Sequence, residues 1–427
     1  MSYTRYKKYM IVDSDDNNTL KPLMTQDGLY IVSTEEVAGY VPIEEIEQAI
    51  RSPINKRFVQ VFLLREDETV VKDITPWVQL SGNIEKKDTS GQSRSASLSL
   101  VNEKINGEYL WIPKPNQGGL WNYNKIKIVS GIYLYDRIYE VREGVFVLHN
   151  PSLEVNAAQH KVTMQCYDKF ALLDGTIDGI GDIDYEVARR TPLRDAVTTM
   201  LKLERTTGIP FDLKDPIFPT KYSKELSPYT LKKTGENSIG AIMKDLTTMV
   251  SCDIKYDDDG RMNVVDTLTD LDAHHRSVVW NFREGEFMNP KLQIKRSQIK
   301  NKITVIGANI NGSLVKATVE NTNPMSNYNV NSDFGVKAKK ITDDLLYSNY
   351  LCEERARYEM KKTMQNYATI NLQCIYIPHL EPGDIVRWTY EPWGIEQEEF
   401  IVNTVSVPIN PKENMSISLT NLAELPL

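Results

Sequence analysis

The chain has 427 residues, 41% hydrophobic and 25% charged, with a net charge of −8. This is ordinary globular composition, and the length suits roughly three domains; the negative balance argues against a sequence-specific DNA binder. No apolar run approaches the roughly 20 residues that span a bilayer, the basic start Met1 to Lys8 has no apolar segment behind it and so is not a secretory signal, and Cys166, Cys252, Cys352 and Cys374 are too scattered for a metal site.

Residues 1–55 read as an N-terminal extension. Tyr9-Met10-Ile11-Val12 and Leu29-Tyr30-Ile31-Val32 are candidate strands, with Asp15-Asp16-Asn17-Asn18 as a turn. Pro42 to Ile50 carries Ile43, Ile46 and Ile50 at helical spacing, with acidic residues in the first turn, where the helix dipole favours them.

Residues 56–181 form a β region. Phe58 to Leu64 is a buried run. Ala96, Leu98 and Leu100 alternate with Ser95, Ser97 and Ser99, and Val162, Met164 and Cys166 alternate with Lys161, Thr163 and Gln165. Period-two alternation puts one face of a strand on a core and the other in water, and strands at this spacing suggest a barrel or sandwich. Residues 182–290 read as mixed α/β. Thr191 is the expected N-cap of a helix with Pro192 at its first position and Leu193, Ala196, Val197, Met200 and Leu201 along one stripe. Ile239, Ile242, Met243, Leu246 and Val250 mark a second helix, followed by a strand, an Asp-Gly turn and another strand at Cys252 to Val265.

Residues 291–427 begin with the strand-like Lys302-Ile303-Thr304-Val305-Ile306, which ends at Gly307. A long loop containing Asn323-Pro324-Met325-Ser326 follows, then a helix from about Thr342 to Gln365. Four alternating runs close the chain. In the first, Ala368, Ile370, Leu372, Cys374 and Tyr376 share one face. Pro382, Gly383 and Asp384 lie between the first two runs. Pro presets φ at the second turn position and Gly supplies the positive φ of a type II turn at the third, so a turn over Glu381 to Asp384 is expected.

This order resembles the bacteriophage tail and baseplate hub family. The resemblance is carried by the Val305-Ile306-Gly307 strand end, the Ala/Leu/Arg/Glu-rich helix, the Pro382-Gly383-Asp384 turn and the Ile401 to Leu419 hairpin, and in the first β region by Gly144-Val145-Phe146, Pro151 and Val162 to Ala171. It implies an α+β, mainly β protein with two tail-tube-like antiparallel β-barrels and an intervening α/β domain. It also implies a homotrimeric ring that joins a sixfold tail tube, or distal tail protein, to a threefold central spike and lets DNA pass. Further expectations are a place in the virion tail tip after synthesis in the host cytoplasm, no enzymatic activity, no cofactor and no stable nucleic-acid or membrane binding.

Other motifs have plainer readings. Asp257-Asp258-Asp259-Gly260 lacks the calcium-loop pattern, because Lys255 stands where an Asp is needed and Asp266 where a Glu is needed, so it reads as a hairpin turn. The stretch from Asp174 to Asp184 reads as a linker; the other reading is a cation wrapped by carboxylates and carbonyls. His274-His275 point different ways and suit a solvated loop, while His149, His160 and His379 stand alone. With 58 acidic residues, a chance carboxylate pair carries no information about a glycosidase. Trp388 to Gly394 reads as cross-strand or interface packing, with a sugar-stacking platform as the alternative. The competing functions are a tail-associated cell-wall hydrolase and a carbohydrate-binding receptor protein of the tail tip.

Overall fold

The computed structural model describes residues 12–14, 20–22, 43–52 and most of 56–421, with short breaks, the longest at 267–276. The candidate strands at Tyr9–Ile11 and Leu29–Val32, the Asp15–Asn18 turn, Ile180–Asp184 and His274-His275 lie outside the described residues.

Helix α1 (Ile43–Arg51) precedes a run of strands: β1 (Arg57–Leu64), β2 (Val70–Asp73), β3 (Asn83–Lys87), β4 (Arg94–Val101), β5 (Lys125–Tyr133), β6 (Ile138–Val155) and β7 (His160–Asp168). Helices α2 (Leu193–Leu201) and α3 (Ile239–Met249) lead to the hairpin β8 (Cys252–Tyr256) and β9 (Met262–Asp266). Then come β10 (Val278–Asn281), β11 (Phe287–Ile294), β12 (Lys302–Ile310), β13 (Ser313–Glu320), β14 (Ala338–Thr342) and α4 (Asn349–Gln365). The last strands are β15 (Ala368–Cys374), β16 (Ile385–Tyr390), β17 (Ile395–Pro408) and β18 (Met415–Asn421).

Thirteen strands form one sheet, in the order β11-β15-β18-β17-β3-β4-β7-β6-β5-β1-β2, with β16 branching from β17 and β10 beside β16. The alternation in the sequence explains the strands. Ala96, Leu98 and Leu100 of β4 and Ala368, Ile370, Leu372 and Cys374 of β15 are all buried, while Asn371 and Gln373 face water. The two β regions meet where Thr404–Pro408 of β17 pair antiparallel with Lys87–Asn83 of β3. One apolar core runs beneath that seam, from Ile84, Leu98 and Phe146 to Trp388, Val405 and Ile417. Among the described residues, the two ends of the strand path do not pair with each other. The two β regions expected from the sequence are thus joined into one branched sheet.

A second core gathers the remaining elements. Leu193, Ala196, Val197, Met200 and Leu201 of α2 pack with Ile242, Met243 and Leu246 of α3, and with Cys352, Ala356 and Met360 of α4 over Ile303 and Val305 of β12. The sheet β13-β12-β14 and its helix therefore pack with the α/β segment, although they lie beyond residue 291 in sequence.

Two expected helix starts shift. Thr342 ends β14, which lies parallel to β12, and α4 begins only at Asn349, where the Ser348 hydroxyl accepts from Leu351 N–H at 3.2 Å. Thr191 does not cap α2, because its hydroxyl donates back to the Ala188 carbonyl at 2.8 Å. The cap of α3 is Ser238, accepting from Ala241 N–H at 3.1 Å. No helix among the described residues is long and apolar enough to cross a membrane.

Candidate functional site

The turn at Pro382-Gly383-Asp384 leads into the most heavily connected part of the molecule. Asp384 N–H donates to the Glu381 carbonyl at 3.1 Å, and Gly383 sits at φ +91°, where a side chain would be strained. Gly383 N–H donates to the Val402 carbonyl at 2.7 Å and Val402 N–H to the Asp384 carbonyl at 2.8 Å, which pins the turn to β17.

This anchoring places the Glu381 carboxylate inside the protein. Its two oxygens accept from Lys86 Nζ at 2.6 Å and Arg94 Nη2 at 2.7 Å. Lys86 also pairs with Glu143, whose carboxylate accepts from the Ser130 hydroxyl, itself bonded to the Tyr376 hydroxyl. Arg94 donates further to the carbonyls of Glu143 at 2.8 Å and Tyr256 at 3.0 Å. Lys86 and Glu143 are 1% and 0% exposed. Burial, and next the Glu143 charge, push the Tyr376 phenol up, so it stays protonated, with the Arg57 guanidinium stacked 3.7 Å over its ring. The network joins β3, β4, β5 and β6 to the β8 strand end and the 376–381 segment. Two cations and two carboxylates balance within it. Desolvating them is costly unless every partner is in place, so the arrangement acts as a register device.

Next to it, Asp168 Oδ2 accepts from the backbone N–H groups of Ser93 and Arg94, both at 2.8 Å, and Oδ1 accepts from Phe170 N–H at 3.0 Å. Burial pushes this carboxyl up to about 6 against the pull of those donors. A second charge cluster lies between the β1–β2 turn and the α/β segment. Glu68 accepts from Lys169 at 2.6 Å and Lys125 at 3.1 Å and pairs with Lys214 at 2.9 Å, while Lys169 also reaches Asp212 at 2.7 Å.

Burial alone would raise the Glu68 carboxyl, but the Lys169 and Lys125 ammonium groups outweigh it and hold it down at about 2. A carboxyl depressed in the folded state stabilises fully above its ordinary value of 4.5 and loses that contribution as pH falls toward 2. Urea melts between pH 5 and 2 should therefore show a steeper loss of stability for wild type than for Glu68→Gln. Parallel curves would remove Glu68 from the account.

The remaining motifs take local roles. Asp257 Oδ1 accepts from Asp259 and Arg261 N–H at 3.0 and 2.8 Å and Gly260 sits at φ +64°, which makes Asp257–Gly260 the closed turn of the β8–β9 hairpin. Asp174 accepts from Thr176 N–H at 2.9 Å, and the Gly179 carbonyl accepts from Ile239 N–H at 3.1 Å, so the described half of the Asp/Gly stretch packs against the start of α3. Trp388 is fully buried, stacked on Tyr390 at 5.2 Å and met edge-on by Trp393, Phe287 and Phe400. These rings pack on one another across strands. His149 lies 5.4 Å from the Tyr167 ring and His379 6.1 Å from Trp280. All four cysteines are buried thiols, none of them in a disulfide. Among the described residues, no group of three His, Cys, Asp or Glu is placed to hold a metal ion.

The buried network was not evident from sequence, although a signal for part of it is there. Lys86 is in phase with Ile84, and Arg94 with Ala96 and Leu98, so each charge sits on the apolar face of its strand. A charge in that phase is either an edge or a buried partner, and only the fold supplies Glu143 and Glu381.

Against solved structures, the chain is similar to the 43 kDa tail protein of prophage MuSo2 from Shewanella oneidensis. The match has a TM-score of 0.55 at 12% identity and covers 86% of this chain and 99% of that one. The fold is that of phage tail proteins. The tail protein from Neisseria meningitidis MC58 matches with a TM-score of 0.54 at 8% identity over 86% of this chain and 96% of that one. A chain of the lidded Francisella PdpA-VgrG complex matches with a TM-score of 0.52 at 10% identity, over 87% of this chain and 53% of that one. No family model and no curated sequence matches.

Proposed function

We propose that this chain is a structural subunit of a phage-type tail, a hub at the tip of the tail tube that works by shape and interface and has no catalytic role. The supporting observation is the shared fold over 86% of this chain and 99% of the Shewanella prophage tail protein. In this reading the chain divides into 1–55, 56–181, 182–290 and 291–427, and each β region supplies one tube-like barrel, the second built from the strands of 368–421. Three chains then present six barrels to a sixfold tube and threefold symmetry to a central spike, with a channel for DNA. The likeness to a chain of a VgrG complex supports a spike-side partner. Virion residence and synthesis in the host cytoplasm belong to the same proposal.

Mass photometry with electron microscopy tests it, adding tube and spike proteins if the isolated chain stays monomeric. A threefold ring with a central channel is expected. A monomer that forms no ring even with those partners, or a ring of another symmetry, would displace this reading. The receptor reading would then predict glycan binding by the isolated protein, and the hydrolase reading a clearing band on a cell-wall zymogram.

A further inference from the structure

The main path of the large sheet ends in two edge strands, β11 and β2, while β10 ends the branch. Both are unusually bare. In β11 and beyond it, every residue from Lys291 to Gln298 is exposed, so the outer half of the strand faces water on both sides. Leu292 and Ile294 are 39% and 51% exposed there, although their cross-strand partners Ile370 and Ala368 are buried. At the opposite end, Val70 and Val71 of β2 are 64% and 48% exposed. A long edge that shows both backbone groups and apolar side chains is a template for another strand, and proteins normally cover such edges. The charge balance of the two edges differs: Lys291, Lys295 and Arg296 flank the β11 edge, while beside β2 the exposed Asp67 and Asp73 outnumber the exposed Arg65.

We propose that neighbouring copies of this chain join edge to edge, β11 of one copy against β2 of the next. The contact is heterologous: each copy offers two different edges, so repetition generates a ring if the rotation closes. Apolar Leu292 and Ile294, which share one face of β11, would meet Val70, and the more basic flank would meet the more acidic one. The inference rests on the ring reading above and names the surface that would build it.

The test uses the full-length protein with Ile294→Cys and Val70→Cys in the same chain, treated with a short bis-maleimide that tolerates small register differences. The four native cysteines are buried, so the reagent reaches the added thiols. The double variant should give covalent dimers and trimers on a denaturing gel wherever mass photometry shows rings. Either single variant alone should give none, and a mixture of the two single variants should stop at dimers. Leu292→Lys with Ile294→Lys should abolish rings without moving the melting temperature of the monomer. Rings that form but do not crosslink would overturn the edge assignment and leave the hub reading standing. A link confined within one chain, or dimers from a single variant, would overturn it as well, the latter by showing an isologous contact. If no ring forms even with tube and spike partners, the hub reading itself fails and the edge assignment falls with it.

Discussion

Glu381→Leu is expected to destabilise the protein by about 3–5 kcal/mol, because removing one partner of a buried ion network strands the others. Lys86 and Arg94 would lose the carboxylate that both contact and would be left with Glu143 alone to balance them. Urea unfolding at neutral pH measures the loss. Removing both members of one pair is the informative companion. Lys86→Met with Glu381→Leu leaves Arg94 near Glu143, restores local charge balance and should recover part of the loss. A Glu381→Leu protein that unfolds at the wild-type midpoint would sink the idea that the network registers the two β regions.

The second large effect is expected at Gly307, at the close approach between β12 and the turn before α4. A Cβ there would lie 2.2 Å from the Leu346 carbonyl oxygen, 2.7 Å from Val315 Cγ2 and 3.0 Å from Cys352 Sγ. The strand cannot retreat easily, because Ala308 N–H donates to that same carbonyl at 2.8 Å. Gly307→Ala should therefore cost about 1–3 kcal/mol through overpacking, more if the hydrogen bond breaks. The loss should concentrate in α4, visible as faster amide exchange over Asn349–Gln365. An unchanged melting temperature with unchanged exchange would show that the neighbours give way freely.

The sequence was legible where one physical rule dominated. Alternation located β4, β7 and β15, because each has one face on a core, and the apolar stripe of α2 identified all five of its buried residues. Local capping was harder to read. The Thr191 hydroxyl turns back to the Ala188 carbonyl while the Ser348 hydroxyl accepts from Leu351 N–H, and a short polar side chain can serve either way. The loop after β13 looked featureless but is held by asparagine side chains. Asn301 donates to the carbonyls of Tyr328 and Gly335 at 3.0 and 2.8 Å and accepts from Lys337 N–H at 2.6 Å. Its density of Asn was the available sign. The fusion of the two β regions and the pairing of Lys86 and Arg94 with Glu381 could not be read at all, since nothing local in Asn83–Lys87 names Thr404–Pro408 as its neighbour.

That seam also dictates an order of events during synthesis. Asn83 and Ser406, bonded side chain to side chain at 3.0 Å, are 323 residues apart. As the chain leaves the ribosome, β4 can cover one side of β3 almost at once, but the other side has no strand to accept until β17, with Ser406 lying 323 residues after Asn83, emerges. For most of that interval a nascent chain with much of its sheet already formed carries an uncapped flank. Such a flank is where a neighbouring nascent chain would add in error. Closing so distant a pair also places the molecule among slow folders, since loop entropy must be overcome before the contact rewards it.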